Sequence, residues 1–382
     1  MATRPLFLRG LAAGSIGAGL VLLASCGSRT GLFGEDMPTL AEAGPDRAAD
    51  AVDEPIGCKP GTFAFELATA QLMFVLDRSG SMAFSLTGQD PVPPGQQSRW
   101  ATLRDALFQT IVPFDTQIAM GAKFFPEVPS RDSLGDPEEA CRVDTGVAVA
   151  PALGRSQDIL SVFDTTEPRG GTPTSDALRL AAQYLSGRRG VARTMVLATD
   201  GAPNCNGNLD ALRCTCTTPR FDCSADPQVG AYSCLDDTRT ISVVADIFGN
   251  QKIPVYVVGI GSTERPQFLQ VLDDMAVAGG RARTGKPRHY NAQTALELRD
   301  AFSTIRDSIA KCTYLTPSAP TDPDAITVTI GGAVIPRDTT HQGGWDWVDQ
   351  AYGELQFFGP ACEAAGKATP QTISGTVTCN DG

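Results

Sequence analysis

The sequence predicts an α/β protein with a doubly wound, mostly parallel six-stranded sheet flanked by helices, followed by a small disulfide-stapled β-rich module. Short continuous apolar runs, such as residues 72–76 and 253–260, are typical of strands that are buried on both faces. Segments with apolar side chains at helical spacing alternate with these runs, as in residues 295–310. After residue 312 this alternation ends, and proline-rich sequence leads into short stretches with strand-like alternation. A chain of 382 residues is long enough for one large domain and such an attachment.

The N-terminal segment predicts export. Arg4 and Arg9 precede an apolar run at residues 11–23, which is too short for an ordinary membrane-spanning helix. The run ends in Leu-Ala-Ser-Cys, which resembles the bacterial lipobox, in which the cysteine is lipidated and becomes the first mature residue. Residues 1–25 are therefore expected to be a lipoprotein signal peptide, with Cys26 as the lipidation site. A simple secretory peptide with an incidental cysteine is the alternative.

The residues around and after Cys26 extend this expectation. Gly27, in place of Asp, follows the lipidated position, and by analogy with lipoprotein sorting in Gram-negative bacteria this favours the outer membrane. Acyl chains on one cysteine would anchor the protein at the periplasmic face or the cell surface without a transmembrane helix. Residues 26–57 contain Gly, Pro, Ala and acidic groups without a sustained apolar period, which predicts a disordered tether.

Secondary structure in the rest of the chain is predicted from local periodicity. Strands of the main sheet are expected at residues 72–76, 118–125, 146–150, 194–199 and 253–260, with a last one shortly before residue 295. Helices are expected at residues 99–108, 157–163, 175–186, 238–248, 266–278 and 295–310. Further short strands are expected at residues 62–68, 325–330, 344–347, 355–358 and 372–378.

Oxygen-bearing side chains follow two strands of the predicted sheet and open one of its helices. Asp77, Ser79 and Ser81 come directly after the first strand, and Asp200 comes directly after a later one. Thr172 lies in a glycine-rich loop at the start of a helix. Open α/β sheets bind ligands at the carboxyl ends of their strands, so we expect these side chains to converge. Hard oxygen groups without His or Cys suit Mg²⁺, Mn²⁺ or Ca²⁺ and not zinc, although an ordinary polar turn is the simpler alternative for the first loop alone.

This three-part pattern resembles the von Willebrand factor type A (vWA) domain and its metal-ion-dependent adhesion site (MIDAS). The resemblance covers about residues 71–311. It implies one antiparallel edge strand in the sheet, and a bound Mg²⁺ (Mn²⁺ or Ca²⁺ possible) with one position open to an Asp or Glu of a protein partner. The ligands of the family fall on Asp77, Ser79, Ser81, Thr172 and Asp200.

Cysteine usage agrees with export, because ten cysteines remain besides Cys26 and disulfides form in oxidising compartments. Cys58 and Cys312 bracket the expected vWA domain, residues 58–312, so pairing them would clamp its ends. A disulfide between Cys362 and Cys379 is expected to staple the C-terminal module, residues 313–382. The pairing of the other six stays open, with zinc as an alternative; these are Cys141, Cys205, Cys214, Cys216, Cys223 and Cys234.

Most of these six lie in an insertion at residues 203–236, which follows a parallel strand and must therefore emerge beside the metal loops. The insertion holds an odd number of cysteines, so one of them needs a partner elsewhere, and Cys141 is the nearest candidate. The insertion is expected to be either a disulfide-pinned cap that selects the partner or only a stabilised surface loop.

The sequence favours recognition over catalysis. It contains two histidines and no phosphate-binding loop, nucleophile elbow or zinc-protease motif. The formal net charge of −12 does not favour a nucleic-acid partner. We therefore expect a non-enzymatic adhesion or interaction protein, bound to the membrane by its lipid, that takes an extracytoplasmic protein ligand. A structural envelope protein whose metal only stabilises the loops is the alternative, and a metal-dependent hydrolase is less favoured.

Overall fold

The computed structural model describes residues 54–127, 135–187, 191–218, 222–261 and 265–379. The expected signal peptide, the lipidation site at Cys26 and all but the last residues of the expected tether lie outside these ranges. Within them, no helix combines the length and the apolar character that crossing a membrane requires.

The elements of the described residues are named in chain order. The strands are β1 (Gly61–Ala64), β2 (Glu66–Leu67), β3 (Ala70–Asp77), β4 (Ala119–Phe125), β5 (Val149–Ala152), β6 (Ala192–Thr199), β7 (Val255–Ile260), β8 (Tyr290–Ala292), β9 (Thr313–Leu315), β10 (Ile326–Ile330), β11 (Ala333–Ile335), β12 (Gly344–Asp349), β13 (Glu354–Phe358) and β14 (Ile373–Val377). The helices are α1 (Arg99–Ile111), α2 (Pro137–Ala140), α3 (Ser156–Thr165), α4 (Thr174–Ser186), α5 (Pro227–Gly230), α6 (Asp237–Gly249), α7 (Pro266–Ala278), α8 (Ala295–Cys312) and α9 (Gly359–Lys367).

The largest sheet in the described part of the chain has six strands, in the order β5-β4-β3-β6-β7-β8. β3 lies parallel to β4 and β6, and β6, β7 and β8 continue in the same direction. The edge strand β5 runs antiparallel to β4. Helices α1, α3 and α8 contribute to the core on one face, and α4, α6 and α7 to the core on the other. The predicted six-stranded, mostly parallel sheet flanked by helices is thereby confirmed.

The central strand β3 is apolar on both of its faces. Leu72, Phe74 and Leu76 point into the core that contains α1 and α8, whereas Met73 and Val75 point into the opposite core. Because successive side chains alternate across a strand, only a continuous apolar run satisfies both faces. Burying each of these side chains contributes about 1.5–3 kcal/mol. This packing fixes the last residue of β3 at the carboxyl edge of the sheet.

The β-rich module contains two four-stranded sheets, in the orders β1-β14-β10-β11 and β12-β13-β9-β2. Strands β1 and β2 precede the main sheet in the chain, so residues from both ends build this module. Phe65 lies between β1 and β2 and shares a buried core with Trp345 and Phe357. The expected division into residues 58–312 and 313–382 therefore needs correction, because residues 61–67 belong to the C-terminal module. Helix α9 in this module was also not expected.

Two of the expected disulfides are wrong. The structure pairs Cys58 with Cys379, with 5.9 Å between their Cα atoms, and Cys312 with Cys362, with 5.2 Å between theirs. Cys58 precedes β1 and Cys379 follows β14, and the antiparallel pairing of these strands brings the two cysteines together. Cys312 ends α8, against which α9 packs with Cys362. The expected pairs were Cys58 with Cys312 and Cys362 with Cys379. They were chosen from positions in the sequence, which do not show that β1 pairs with the distant strand β14.

Candidate metal centre

The first loop of the site begins where β3 ends. Asp77 and Ser79 are fully or almost fully buried. The amide of Ser79 donates to Oδ1 of Asp77 over 2.7 Å, and the hydroxyl of Thr199 donates to Oδ2 over 2.6 Å. Both oxygens of this carboxylate are therefore oriented by donors from two neighbouring strand ends. Sequence reasoning missed Thr199, whose only signal was a hydroxyl directly before Asp200.

The third loop of the site begins where β6 ends, and it meets the first loop because β3 and β6 are adjacent and parallel. Asp200 directly follows β6, and its Oδ1 accepts a hydrogen bond of 2.9 Å from the Ser81 hydroxyl. The hydroxyl oxygens of Ser79 and Ser81 lie 3.2 Å apart. Four of the five predicted ligands, Asp77, Ser79, Ser81 and Asp200, thus form one cluster of oxygen atoms.

Thr172, the fifth predicted ligand, is buried and is held beside the cluster by its backbone. Its amide donates to Oδ1 of Asn204 over 2.7 Å, and its carbonyl accepts from the amide of Asn204 over 3.0 Å. The amide of Gly80 donates to the carbonyl of Gly170 over 3.1 Å. This hydrogen bond ties the second loop, residues 170–174, to the first. Within the described residues, the Thr172 hydroxyl makes no hydrogen bond to the other four predicted ligands.

The glycines of the second loop permit close backbone approaches. Gly170 has a φ of +94°, and a Cβ atom there would lie 2.7 Å from the carbonyl oxygen of Ala140. A Cβ atom on Gly171 would collide with the sulfur atoms of Cys141 and Cys205. Side chains at either position would therefore push the loop away from its neighbours.

A disulfide between Cys141 and Cys205 attaches the cysteine-rich insertion to the connection between β4 and β5, where Cys141 follows α2; Cys141 is the external partner that the odd cysteine count suggested. Two further disulfides, Cys214–Cys234 and Cys216–Cys223, close the insertion on itself. The sulfur atoms of Cys214, Cys223 and Cys234 lie close together, but all three are engaged in disulfides, so none offers a thiolate to zinc.

The electrostatics of the cluster involve a cation that sequence reasoning did not identify. Arg99, at the start of α1, forms a buried ion pair with Oδ2 of Asp200 and donates to the carbonyl of Ser81 over 3.3 Å. Burial and the nearby charge of Asp200 raise the pKa of Asp77 to about 7, although the hydrogen bonds from Thr199 and Ser79 oppose this shift. A negative charge on Asp77 is therefore incompletely compensated by the protein alone.

The donor set fits a hard divalent cation. Two buried carboxylates and neutral hydroxyl oxygens are the ligands that Mg²⁺, Mn²⁺ and Ca²⁺ prefer. A dication here would relieve the repulsion between Asp77 and Asp200. The residues that would hold it are Asp77, Ser79, Ser81, Thr172 and Asp200.

A polar cleft of about 550 Å³ lies near the first two loops. The carbonyl of Arg78, which lies between two predicted ligands, accepts a hydrogen bond of 2.9 Å from the amide of Arg169 on the opposite wall. The cleft thus borders the first loop at Arg78 and lies next to the second loop at Arg169, but none of the predicted ligands lines it. Its lining residues are Arg78, Glu127, Asp164, Thr165, Thr166, Glu167 and Arg169.

No protein-family model and no curated protein matches the sequence. Among solved structures, the chain is similar to the PilB minor pilin from Streptococcus sanguinis, with 19% identity, a TM-score of 0.44 and coverage of 64% of this chain and 62% of the pilin. It is also similar to the pilus adhesin SpaC from Lactobacillus rhamnosus GG, with 14% identity, a TM-score of 0.45 and coverage of 83% and 41%. A third similar structure is the manganese-loaded TRAP protein from Plasmodium vivax, with 15% identity, a TM-score of 0.37 and coverage of 64% and 78%. The match spans less than two thirds of the pilin and of the adhesin.

Proposed function

We propose that this chain is an exported, lipid-anchored adhesion or interaction protein of the vWA type. A divalent cation, for which we propose Mg²⁺ ahead of Mn²⁺ and Ca²⁺, binds to its MIDAS. An Asp or Glu of an extracytoplasmic protein then completes the coordination of this cation. The observation that carries the proposal is the oxygen cluster of Asp77, Ser79, Ser81 and Asp200 at the carboxyl edge of the sheet, in which all residues but the partly buried Ser81 are buried. An incompletely coordinated dication in such a setting is strongly electrophilic, so a carboxylate is its natural complement.

The surroundings of the cluster support binding over turnover. Water activation on a metal also needs a base near the ion. His289 is buried and bonded to Asp273, with 2.7 Å between Nδ1 and Oδ1, and His341 lies 3.0 Å from a carboxylate oxygen of Asp346. Both histidines belong to other parts of the fold and contact none of the predicted ligands. Turnover of a substrate is therefore not part of the proposal.

A structural role is the second candidate. The loops are already tied together by the Gly80–Gly170 and Thr172–Asn204 hydrogen bonds, and the Cys141–Cys205 disulfide packs against the second loop at Gly171. In that case the metal would only tighten a preformed set of loops, and the β-rich module would make the contacts in the envelope.

A pull-down from envelope extract separates the two candidates. The bait proteins are wild type, Asp77→Ala and the control Asp300→Ala, which changes an exposed aspartate on α8. Adhesion through the ion predicts a protein retained by wild type and Asp300→Ala with Mg²⁺, and lost with EDTA or with Asp77→Ala. Equal retention in all lanes would contradict adhesion through the metal and favour the structural role.

A further inference from the structure

Arg99 is fixed at the predicted metal site along its whole length. Its backbone amide donates to the carbonyl of Phe84 over 2.8 Å, and the residue is only 5% exposed. Its guanidinium contacts Asp200 and the carbonyl of Ser81, one residue from each of two metal loops. A long side chain loses considerable conformational freedom when it is held in this way, so the contacts must compensate for that loss.

The chain leaves room for this guanidinium at Gly261, directly after β7. Gly261 has a φ of +82°, and a Cβ atom there would lie 2.7 Å from Nε of Arg99 and 2.8 Å from the carbonyl oxygen of Leu86. A side chain at this position would therefore force Arg99 or the backbone at Leu86 to move, and its positive φ also favours glycine. The space beside Gly261 therefore holds the positive charge of Arg99 at a defined position next to the predicted ligands.

This charge changes the electrostatic balance of the site. Asp77 and Asp200 together carry two negative charges when ionised, which would neutralise a dication. Arg99 pairs with one of them, which leaves one net negative charge for two positive charges. Because the pair is buried, solvent screens this charge much less than it would at the surface. A dication would then bind less tightly, and the loaded site would keep a net positive charge.

We propose that Arg99 couples metal binding to partner binding. It lowers the affinity of the site for the cation alone and raises the affinity of the cation-loaded site for a carboxylate. By linkage, the factor by which the bound cation raises the affinity for the carboxylate equals the factor by which the bound carboxylate raises the affinity for the cation. This inference rests on the proposed metal-dependent recognition. It adds that the metal and the acidic partner bind cooperatively, because Arg99 neutralises one of the two negative charges that would otherwise neutralise the cation.

The test is a titration with Mn²⁺ alone, in which free ion is measured by electron paramagnetic resonance. The proteins are wild type, Arg99→Gln and Arg99→Met, which remove the charge, and Arg99→Lys, which keeps it. The matched control is Arg104→Gln on the same helix, which removes a half-buried arginine paired with Asp164 over 2.8 Å. Loss of a buried like charge near the ion should lower the Mn²⁺ dissociation constant at least about tenfold in Arg99→Gln and Arg99→Met. Arg99→Lys and Arg104→Gln should stay close to wild type.

A second titration adds sodium acetate as the carboxylate and uses sodium chloride at equal ionic strength as the reference. Acetate should increase the Mn²⁺ affinity by a larger factor in wild type than in Arg99→Gln or Arg99→Met. The role of Arg99 would be overturned if acetate had the same effect in wild type and in the neutral variants. It would also be overturned if both neutral variants bound Mn²⁺ no more tightly than wild type. Either result would leave the metal site itself intact. Absence of Mn²⁺ binding in every protein would overturn both this inference and the proposed function. Mn²⁺ binding only in the neutral variants would overturn the proposed function, because the wild-type site would then hold no cation for a carboxylate to complete.

Discussion

At the scale of single residues, the predicted ligands differ in how their positions are determined. Asp77, Ser79 and Ser81 are close in sequence, so their convergence follows from one strand end and was predictable. Thr199 and Arg99 join the site through tertiary contacts with Asp77 and Asp200. A hydroxyl at a strand end and an arginine at a helix start are common, so local pattern could not assign either of them to the site.

Glu354 on β13 provides a residue-scale prediction of pH dependence. It is buried, and desolvation raises its pKa to about 8, although Arg193 opposes the shift. The folded protein then retains a proton that the unfolded chain loses near the ordinary glutamate pKa of 4.5. This contribution to the free energy of unfolding is complete below about pH 4.5 and is lost as the pH rises through about 8.

The free energy of unfolding, measured with urea, should therefore fall less between these two pH values for Glu354→Gln than for wild type. The difference should be about 2–4 kcal/mol. Glu363→Gln, at an exposed site on α9, serves as the control and should follow wild type. Parallel pH profiles for all three proteins would show that Glu354 ionises normally in the fold.

At the scale of elements, local periodicity predicted the main sheet well. β3, β6 and β7 each contain a continuous apolar run, and α7 begins and ends where the pattern placed it. Each of these signals lies within one segment. A strand at residues 62–68 was predicted, but the pairing of β1 and β2 within the β-rich module was not, because their partners β14 and β9 are more than 200 residues away in the chain.

The disulfide between Cys141 and Cys205 gives an element-scale prediction, because it packs against the glycine-rich second loop. The double variant Cys141→Ser/Cys205→Ser should loosen that loop and weaken Mn²⁺ binding about tenfold, as loss of a supporting contact around a metal site commonly does. Cys216→Ser/Cys223→Ser, which opens a disulfide within the insertion, should have a smaller effect. Equal effects of the two double variants would contradict a specific role for the disulfide at the loop.

At the scale of the whole molecule, the two ends of the described chain meet in one module. The Cys58–Cys379 disulfide spans 321 residues in sequence, and β1 and β2 complete the two sheets of that module. The main sheet is therefore inserted between two parts of the β-rich module. Sequence reasoning treated the module as a C-terminal attachment because only its later strands show clear alternation.

This arrangement predicts that Phe65 stabilises the β-rich module, although it precedes most of that module by about 250 residues. Phe65→Ala should lower the free energy of unfolding by about 3–5 kcal/mol, because it removes a large side chain from a packed core. Leu67→Ala, two residues away at an exposed position, is the matched control and should change stability little. Similar midpoints in chemical denaturation for both variants would contradict the shared core.

The central claim is that the oxygen cluster binds one divalent cation, and isothermal titration with Mg²⁺ tests it most directly. Wild type and Asp300→Ala should each bind one equivalent, whereas Asp77→Ala and Asp200→Ala should show strongly weakened or no binding. Circular dichroism of each variant verifies that its fold is retained. Absence of Mg²⁺ binding in wild type, or unchanged binding in Asp77→Ala, would contradict the account.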